Sequence, residues 1–303
     1  MFDFIGDIHG HADELEALLI KMGYTHKNGS YSHPTRKAFF VGDYIDRGPK
    51  IRETLRIVRN MVESENAIAI MGNHEYNAIC FSMKKPDGGH LRSHLIKNIL
   101  QHNETLIQFQ GMQEQYDDYI NWFKTLPLFY ETDQFRAVHA CWDHKNISYL
   151  KNLLPDNKLT DELIFQAVNK ENSFYDAVEE TLKGKEIQMP DGLFFNDKDG
   201  NERKEIRIKW WHDPMKSTYR SISVEPLSHL PEVSVAAEPL RNSDFYTEEH
   251  KPVFFGHYWL KGNPSLLRNN ICCLDYSVAK KGYLVAYRLD EESKLNERNL
   301  VYV

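Results

Sequence analysis

The 303-residue chain has little cysteine and no long apolar run, and each shortage excludes something. Its four cysteines, Cys80, Cys141, Cys272 and Cys273, show no Cys-x-x-Cys spacing, and the adjacent pair would point to opposite faces of a strand. Neither a disulfide framework nor a thiolate metal site is expected, so reduced thiols and a cytoplasmic location are the simplest reading. No stretch approaches the roughly 18 apolar residues of a membrane span, so no membrane partner is expected. Residues Met1 to Asp7 lack a basic segment followed by an apolar one, so no signal peptide is expected. Positive charge is also short: 37 Lys and Arg against 44 Asp and Glu leave −7, which argues against a surface that coats nucleic acid. With no internal repeat or low-complexity tract, and 41% hydrophobic residues, the chain has the material for one large core or for a core with a sizeable insert.

What is present is an arrangement used three times in 75 residues: an apolar strand, a glycine, then ligand-type side chains. Phe2 to Ile5 leads into Gly6-Asp7-Ile8-His9-Gly10. Ala38 to Val41 leads into Gly42-Asp43-Tyr44-Ile45-Asp46-Arg47-Gly48. Ala67 to Met71 leads into Gly72-Asn73-His74-Glu75. Open α/β sheets bind ligands at the carboxyl ends of their strands. Taken alone, Asp7 is as good a helix cap as a ligand. The stretch from Gly42 to Gly48, however, crowds two acids and an arginine into one strand-to-helix turn. A divalent cation would relieve the acids, and the arginine would attract a phosphate.

Periodicity predicts a helix after Gly10 that carries Leu15, Leu18, Leu19 and Met22 on one face. It predicts others over 51–64, 91–109 and 113–125, the last with Tyr116, Ile120 and Phe123 inward. Two more fall over 161–169, capped by Thr160, and 175–182. Residues 25–35 read as a hairpin or loop. His90, His94 and His102 read as a solvated or groove-lining helix face and not as a zinc site, and His11 reads as an exposed or supporting residue. The stretch 205–211 is a basic strand, 197–201 a hairpin turn lacking calcium-loop spacing, and 226–242 a proline-rich surface loop. Segments 271–277 and 283–289 form a hairpin expected to extend a second sheet.

Gly-Asp-x-His-Gly, Gly-Asp-x-x-Asp-Arg-Gly and Gly-Asn-His-Glu, in this order, resemble the calcineurin-like metallophosphoesterase superfamily. The last two forms are similar to its phosphoprotein-phosphatase-type branch, which includes serine/threonine phosphatases, symmetrical diadenosine tetraphosphate hydrolases and RNA-repair phosphatase modules. The resemblance implies two further strand-end histidines, and Val138-His139-Ala140 and Phe255-Gly256-His257 supply them. Cys141 stands where the family often has glycine and reads as a buried small side chain. The implied fold class is α/β, a four-layer α/β/β/α sandwich of two mixed sheets. Its core is formed by 1–142 and 251–303, with an insert at about 143–250 shaping the substrate cleft.

The resemblance also implies a division of labour. Asp7, His9 and Asp43 would hold one metal ion, and Asp43, Asn73, His139 and His257 a second; manganese, iron or zinc suits such donors. A metal-bridging hydroxide would attack phosphorus in line while His74, oriented by Asp46, protonates the leaving oxygen and Arg47 grips the phosphoryl oxygens. A second phosphate-binding arginine is expected from the insert, Arg207 or Arg220, and Tyr258 with Trp259 to stack over the leaving group. The substrate class is a phosphomonoester or nucleotide polyphosphate: a phosphoprotein, a dinucleoside polyphosphate or a nucleic-acid end. The alternative is a binding scaffold that kept the fold and lost catalysis; the full set of ligand positions, with Asp46, Arg47 and His74, stands against it.

Overall fold

The computed structural model describes residues 1–190, 192–196, 202–225, 227, 230–235 and 245–303. Strands and helices alternate at first: β1 (Phe2–Ile5), α1 (Ala12–Lys21), β2 (Lys37–Phe40), α2 (Ile51–Glu63), β3 (Ala67–Ala69) and α3 (Asn73–Ser82). There follow α4 (Ile96–Gln108), α5 (Gln113–Lys124), β4 (Phe129–Glu131), β5 (Arg136–Val138), α6 (His144–Leu153), α7 (Asp161–Ala167) and α8 (Ser173–Lys183). The chain closes with β6 (Val253–Phe255), β7 (Ile271–Cys273), β8 (Asp275–Tyr276), β9 (Tyr283–Leu289) and β10 (Leu300–Tyr302).

These strands make two mixed sheets. The first runs β8-β9-β1-β2-β3, with β10 also on β9; β1, β2 and β3 are parallel and β9 is antiparallel to β1. The second runs β7-β6-β5-β4, in which only β4 is antiparallel. Strand alternation decides what lies between them. Phe4, Phe39, Val41 and Ile70 share a core with Phe135, Ala137 and Phe254, and Phe4 stacks on Phe254 with ring centroids 3.7 Å apart. Their chain neighbours Ile5, Phe40 and Ala69 face the opposite way, into the helix-side core.

On the helix side, α1 buries Leu15, Leu18 and Leu19 and α2 buries Leu55, Val58 and Met61. Beside the second sheet α6 and α8 pack on each other, and the Thr181 carbonyl accepts the Ala140 N–H at 3.1 Å. This is the four-layer α/β/β/α sandwich expected from the sequence. Each fully buried aromatic contributes about 1.5–3 kcal/mol. The sheet-to-sheet core, not the polar rim, therefore holds the strand ends in register.

Three details differ from the sequence expectation. The helix predicted over 91–109 begins only at Ile96, because the Leu91 and Arg92 N–H groups bond to the Met83 and Cys80 carbonyls instead of extending a helix. The basic strand ends at Arg207, paired with Glu186–Gln188; beyond it Trp210 and Trp211 turn away to pack on Phe255. The closing hairpin is divided between the sheets: β7 extends the second sheet as expected, but β8 and β9 join the first. The chain crosses between sheets at Leu274, whose N–H bonds to the Phe255 carbonyl, and β9 then takes the edge of β1 that β2 leaves open. The 197–201 turn lies outside the described residues, although Phe195–Asn196 and Glu202–Arg203 on its two sides pair antiparallel. Most of 226–242 lies outside them as well.

Candidate active site

All five motif loops leave the carboxyl ends of β1, β2, β3, β5 and β6, and parallel pairing brings those ends together. The loops turn sharply: His9, Asp43, Asp46, Arg47 and His257 all have positive φ, between 47° and 72°. Left-handed backbone at non-glycine residues costs on the order of 1 kcal/mol or more each, and such strain concentrates at functional sites. Glycine is required where loops touch. A Cβ on Gly256 would lie 1.8 Å from Asp7 Oδ1, and one on Gly72 would lie 2.3 Å from the Asp43 nitrogen.

Glu75, the last residue of its motif, fixes the central loop. Its carboxylate accepts the N–H groups of Gly72 (3.0 Å), Asp43 (2.9 Å) and Tyr44 (2.8 Å). Burial, then the Asp43 charge, push its pKa up to about 7 against those donors. Asp275 has a matching role across the site, accepting the Trp259 N–H at 2.7 Å and the Ser277 N–H at 3.0 Å.

Asp43 lies between two buried groups of donors: His9, Asp43 and His74, and Asp43, His139 and His257. His9 Nε2 is 3.6 Å from Asp43 Oδ2, and His139 Nε2 is 3.4 Å from Asp43 Oδ1. The tautomers follow from the other ring nitrogens. His9 Nδ1 donates to the Ile45 carbonyl and His139 Nδ1 to the Val41 carbonyl, each at 2.9 Å. In the neutral rings, Nε2 is then a bare lone pair. His139 Nε2 also faces Asn73 Oδ1 at 3.0 Å, and His257 Nδ1 approaches the same oxygen at 2.7 Å.

The bare Nε2 atoms of His9 and His139 thus point at the Asp43 carboxylate, a contact that only a proton or a cation reconciles, whereas His257 Nδ1 can donate to Asn73 Oδ1. Asp7 Oδ1, His9 Nε2 and His257 Nε2 are buried without any hydrogen-bond partner. Burial lowers His9 to about 4 and holds His257 well below its ordinary value, so both rings are neutral near pH 7 and able to coordinate. Burial, together with the charges of Asp275 and Asp43, raises Asp7. This many buried acids need a cation, and the oxygen and imidazole donors fit a divalent ion.

Beside this centre His74 Nδ1 donates to Asp46 Oδ2 at 2.5 Å, and the His74 N–H donates to Asp43 Oδ1 at 3.0 Å. Burial opposes a charge on His74, but Asp43 and the Asp46 bond outweigh it and raise its pKa. Burial likewise opposes the Asp46 charge, and bonds from His102 and His74 reverse this, holding the carboxyl well below the usual range. The Arg47 guanidinium lies over the Trp259 ring, which His9 and the Lys280 ammonium also approach.

The remaining sequence candidates separate. Arg207 reaches this neighbourhood: its charge is among the causes that depress His257, although one guanidinium nitrogen pairs with Glu186 at 3.3 Å. Arg220 is engaged elsewhere, bonding the Leu230 carbonyl and pairing with Glu232 at 3.1 Å. Tyr258 is wedged among Trp211, Phe255 and His257 and is 5% exposed, so the aromatic beside Arg47 is Trp259. His90 and His94 stack on each other outside both donor groups, and His11 bonds backbone carbonyls. Cys141 is a buried thiol. His102 is not a solvated residue: it is 5% exposed and bonded to Asp46. Sequence reasoning also gave no role to Glu75 or Asp275. The first stood inside a quoted motif three residues after Gly72, the spacing of a capping pair; the second was an acid in an otherwise apolar strand.

A strand-end cluster of buried carboxylates and imidazoles of this kind is able to hold divalent cations. The family model for calcineurin-like phosphoesterases matches residues 1–258, and the chain belongs to that family. The family implies divalent metal ions. An asymmetrical bis(5'-nucleosyl)-tetraphosphatase PrpE of Halalkalibacterium halodurans is 51% identical over 74 residues, 24% of this chain and 30% of that protein. A symmetrical bis(5'-nucleosyl)-tetraphosphatase of a Marinomonas species is 28% identical over 166 residues, 52% of each chain. The chain therefore spans between about a third and half the length of these curated relatives. A solved protein serine/threonine phosphatase of Saccharomyces cerevisiae aligns with 100% of this chain and 78% of its own, at 14% identity and a TM-score of 0.48.

Proposed function

We propose that the chain is a two-metal phosphoesterase acting on a phosphomonoester or a nucleotide polyphosphate. The observation that carries this is Asp43, a single carboxylate shared by two buried groups of unreconciled lone pairs. Asp7, His9 and Asp43 would hold one ion, and Asp43, Asn73, His139 and His257 the other. Bound there, the ions supply Lewis acidity that activates water and neutralises phosphoryl charge. Manganese is the first candidate, with iron or zinc as the others.

The chain's own residues do the rest. Arg47 binds the phosphoryl oxygens and is kept in place by the Trp259 ring. His74, oriented by Asp46, donates a proton from Nε2 to the leaving oxygen. Arg207, whose charge acts on His257, is the second phosphate contact in preference to Arg220, which is bonded to Leu230 and Glu232. Residues 143–250 form an insert that shapes the cleft around it. Among the substrates, the names of the relatives favour a dinucleoside polyphosphate over a phosphoprotein or a nucleic-acid end. A cytoplasmic location agrees with four free, buried cysteines. Among the described residues, no helix is long and apolar enough to cross a membrane.

The test is metal analysis of the purified protein with turnover of p-nitrophenyl phosphate, diadenosine tetraphosphate, a phosphopeptide and a 3'-phosphorylated oligonucleotide. About two ions per chain and fastest turnover of the dinucleotide are expected. Bound metal without turnover of any substrate would sink the catalytic reading and leave a scaffold. In His74→Asn, metal content should hold while alkyl phosphate turnover falls by about 10²-fold or more, with a smaller loss on good leaving groups.

A further inference from the structure

The Asp46 carboxylate has two oxygens and two sets of partners. Oδ2 faces His74. Oδ1 accepts from His102 Nδ1 at 2.8 Å and from the Thr105 hydroxyl at 2.5 Å, and the Asp46 N–H returns to Thr105 Oγ1 at 3.1 Å. Because the carboxylate can only accept, His102 carries its hydrogen on Nδ1. Its Nε2 lies 2.9 Å from the Tyr116 hydroxyl, which in turn accepts from Ser82 at 3.1 Å. In the neutral ring, donation runs one way, from Ser82 through Tyr116 and His102 to Asp46. Three residues beyond Thr105 on α4, Gln108 donates to the Gly48 carbonyl at 3.0 Å. His102, Thr105 and Gln108 thus clamp the Asp46-to-Gly48 turn from one helix face.

The face they occupy is a second observation. α4 buries Asn98, His102 and Thr105 and leaves Ile96 76% and Leu100 67% exposed. Burial of apolar surface would turn this helix the other way. Its orientation is set by the polar bonds to the loop.

We propose that His102, supported by Thr105, is a positioning residue for the His74 general acid: it holds Asp46 in the one rotamer that presents Oδ2 to His74 Nδ1. This rests on the general-acid reading of His74. It gives His102 a role in proton donation without contact to substrate or metal. A released Asp46 would rotate, and His74 would lose the bond that orients its ring.

The experiment compares His102→Ala, His102→Asn, Thr105→Val and His74→Asn on p-nitrophenyl phosphate and on an alkyl phosphate, with metal content and melting temperature measured for each. For His102→Ala we expect kcat on the alkyl phosphate to fall about 10- to 100-fold, and only a few-fold on p-nitrophenyl phosphate, at unchanged KM and metal content. The Asn amide can occupy the Nδ1 position, so His102→Asn should recover most of the loss. Thr105→Val, nearly isosteric, should show the same leaving-group pattern at smaller amplitude, and it decides the matter if His102→Ala does not fold. Equal losses on both substrates, or no difference between His102→Ala and His102→Asn, would overturn the proposal while His74→Asn still shows leaving-group dependence. If His74→Asn shows none, the general-acid reading fails and this inference with it.

Discussion

Helices α2 and α4 have the same length, 13 residues each, and opposite polarity. α2 turns Ile51, Leu55, Val58 and Met61 inward and leaves Glu53 and Arg56 in water. α4 turns Asn98, His102 and Thr105 inward and leaves Ile96, Leu100 and Ile107 in water. They also touch: Gln108 at the end of α4 accepts the Ile51 N–H at 2.6 Å, satisfying one of the orphan donors in the first turn of α2. One helix is held by area removed from water, the other by a few directed bonds to the loop that orients His74. The first kind of helix carries stability; the second carries geometry.

That contrast can be broken at several points. The largest expected effect is at Asp46, the acceptor on which the buried face of α4 converges. Asp46→Ala should cut alkyl phosphate turnover by about 10²- to 10⁴-fold. Hydrogen exchange should show α4 amides losing protection and α2 amides keeping theirs. If α4 keeps its protection, its orientation does not depend on Asp46.

Next comes Leu55→Ala in α2. It should cost about 2–5 kcal/mol of stability by denaturant titration, with kcat unchanged under native conditions. A cost below about 1 kcal/mol would mean that the apolar stripe of α2 does not anchor it.

A pH titration should separate the helices further. The Asp46 carboxyl is held below its ordinary 3.8 in the folded protein, so its contribution to stability is fully present above that value and is lost as pH falls through the folded pKa. Protection of α4 relative to α2 should therefore hold between pH 7 and 4 and drop only in more acid solution. In Asp46→Asn that acid-dependent drop should vanish. Smallest of all, Leu100→Ser on the exposed face should change stability by no more than about 0.5 kcal/mol. A cost near 2 kcal/mol would show that the outer face of α4 is covered in solution.

The same two helices explain what was legible in advance. α2 follows the ordinary rule of apolar periodicity, so its position was readable. α4 follows that rule in reverse, and His102 therefore read as part of a solvated or groove-lining face. Nothing in its spacing indicated that its partner would be Asp46, 56 positions earlier. Trp259 was obscured differently: adjacent aromatics at a strand end look equivalent in sequence, and only the positive φ at His257 and Trp259 turns Tyr258 into the core and Trp259 toward Arg47. Only the second half of the closing hairpin was assigned to the wrong sheet, because residues 271–276 are buried throughout and cross between the sheets at Leu274. Alternation carries no sign of which sheet a doubly buried strand joins.

By itself, the sequence determined which strand ends carry donors. Gly-Asp-x-His, Gly-Asp-x-x-Asp-Arg and Gly-Asn-His-Glu are local, and a glycine followed by a ligand at a strand end fixes its own turn. Tertiary structure alone decided what those donors face. Asp43 meets His9, His74, His139 and His257 only because parallel strands stack their carboxyl ends on one rim. Asp46 meets His102 only because α4 lies with its polar face inward. Local sequence can set the direction of a side chain within its own turn. Which group lies in that direction depends on the packing of segments far apart in the chain, and a hydrogen-bond network carries no periodic signature by which to foresee it.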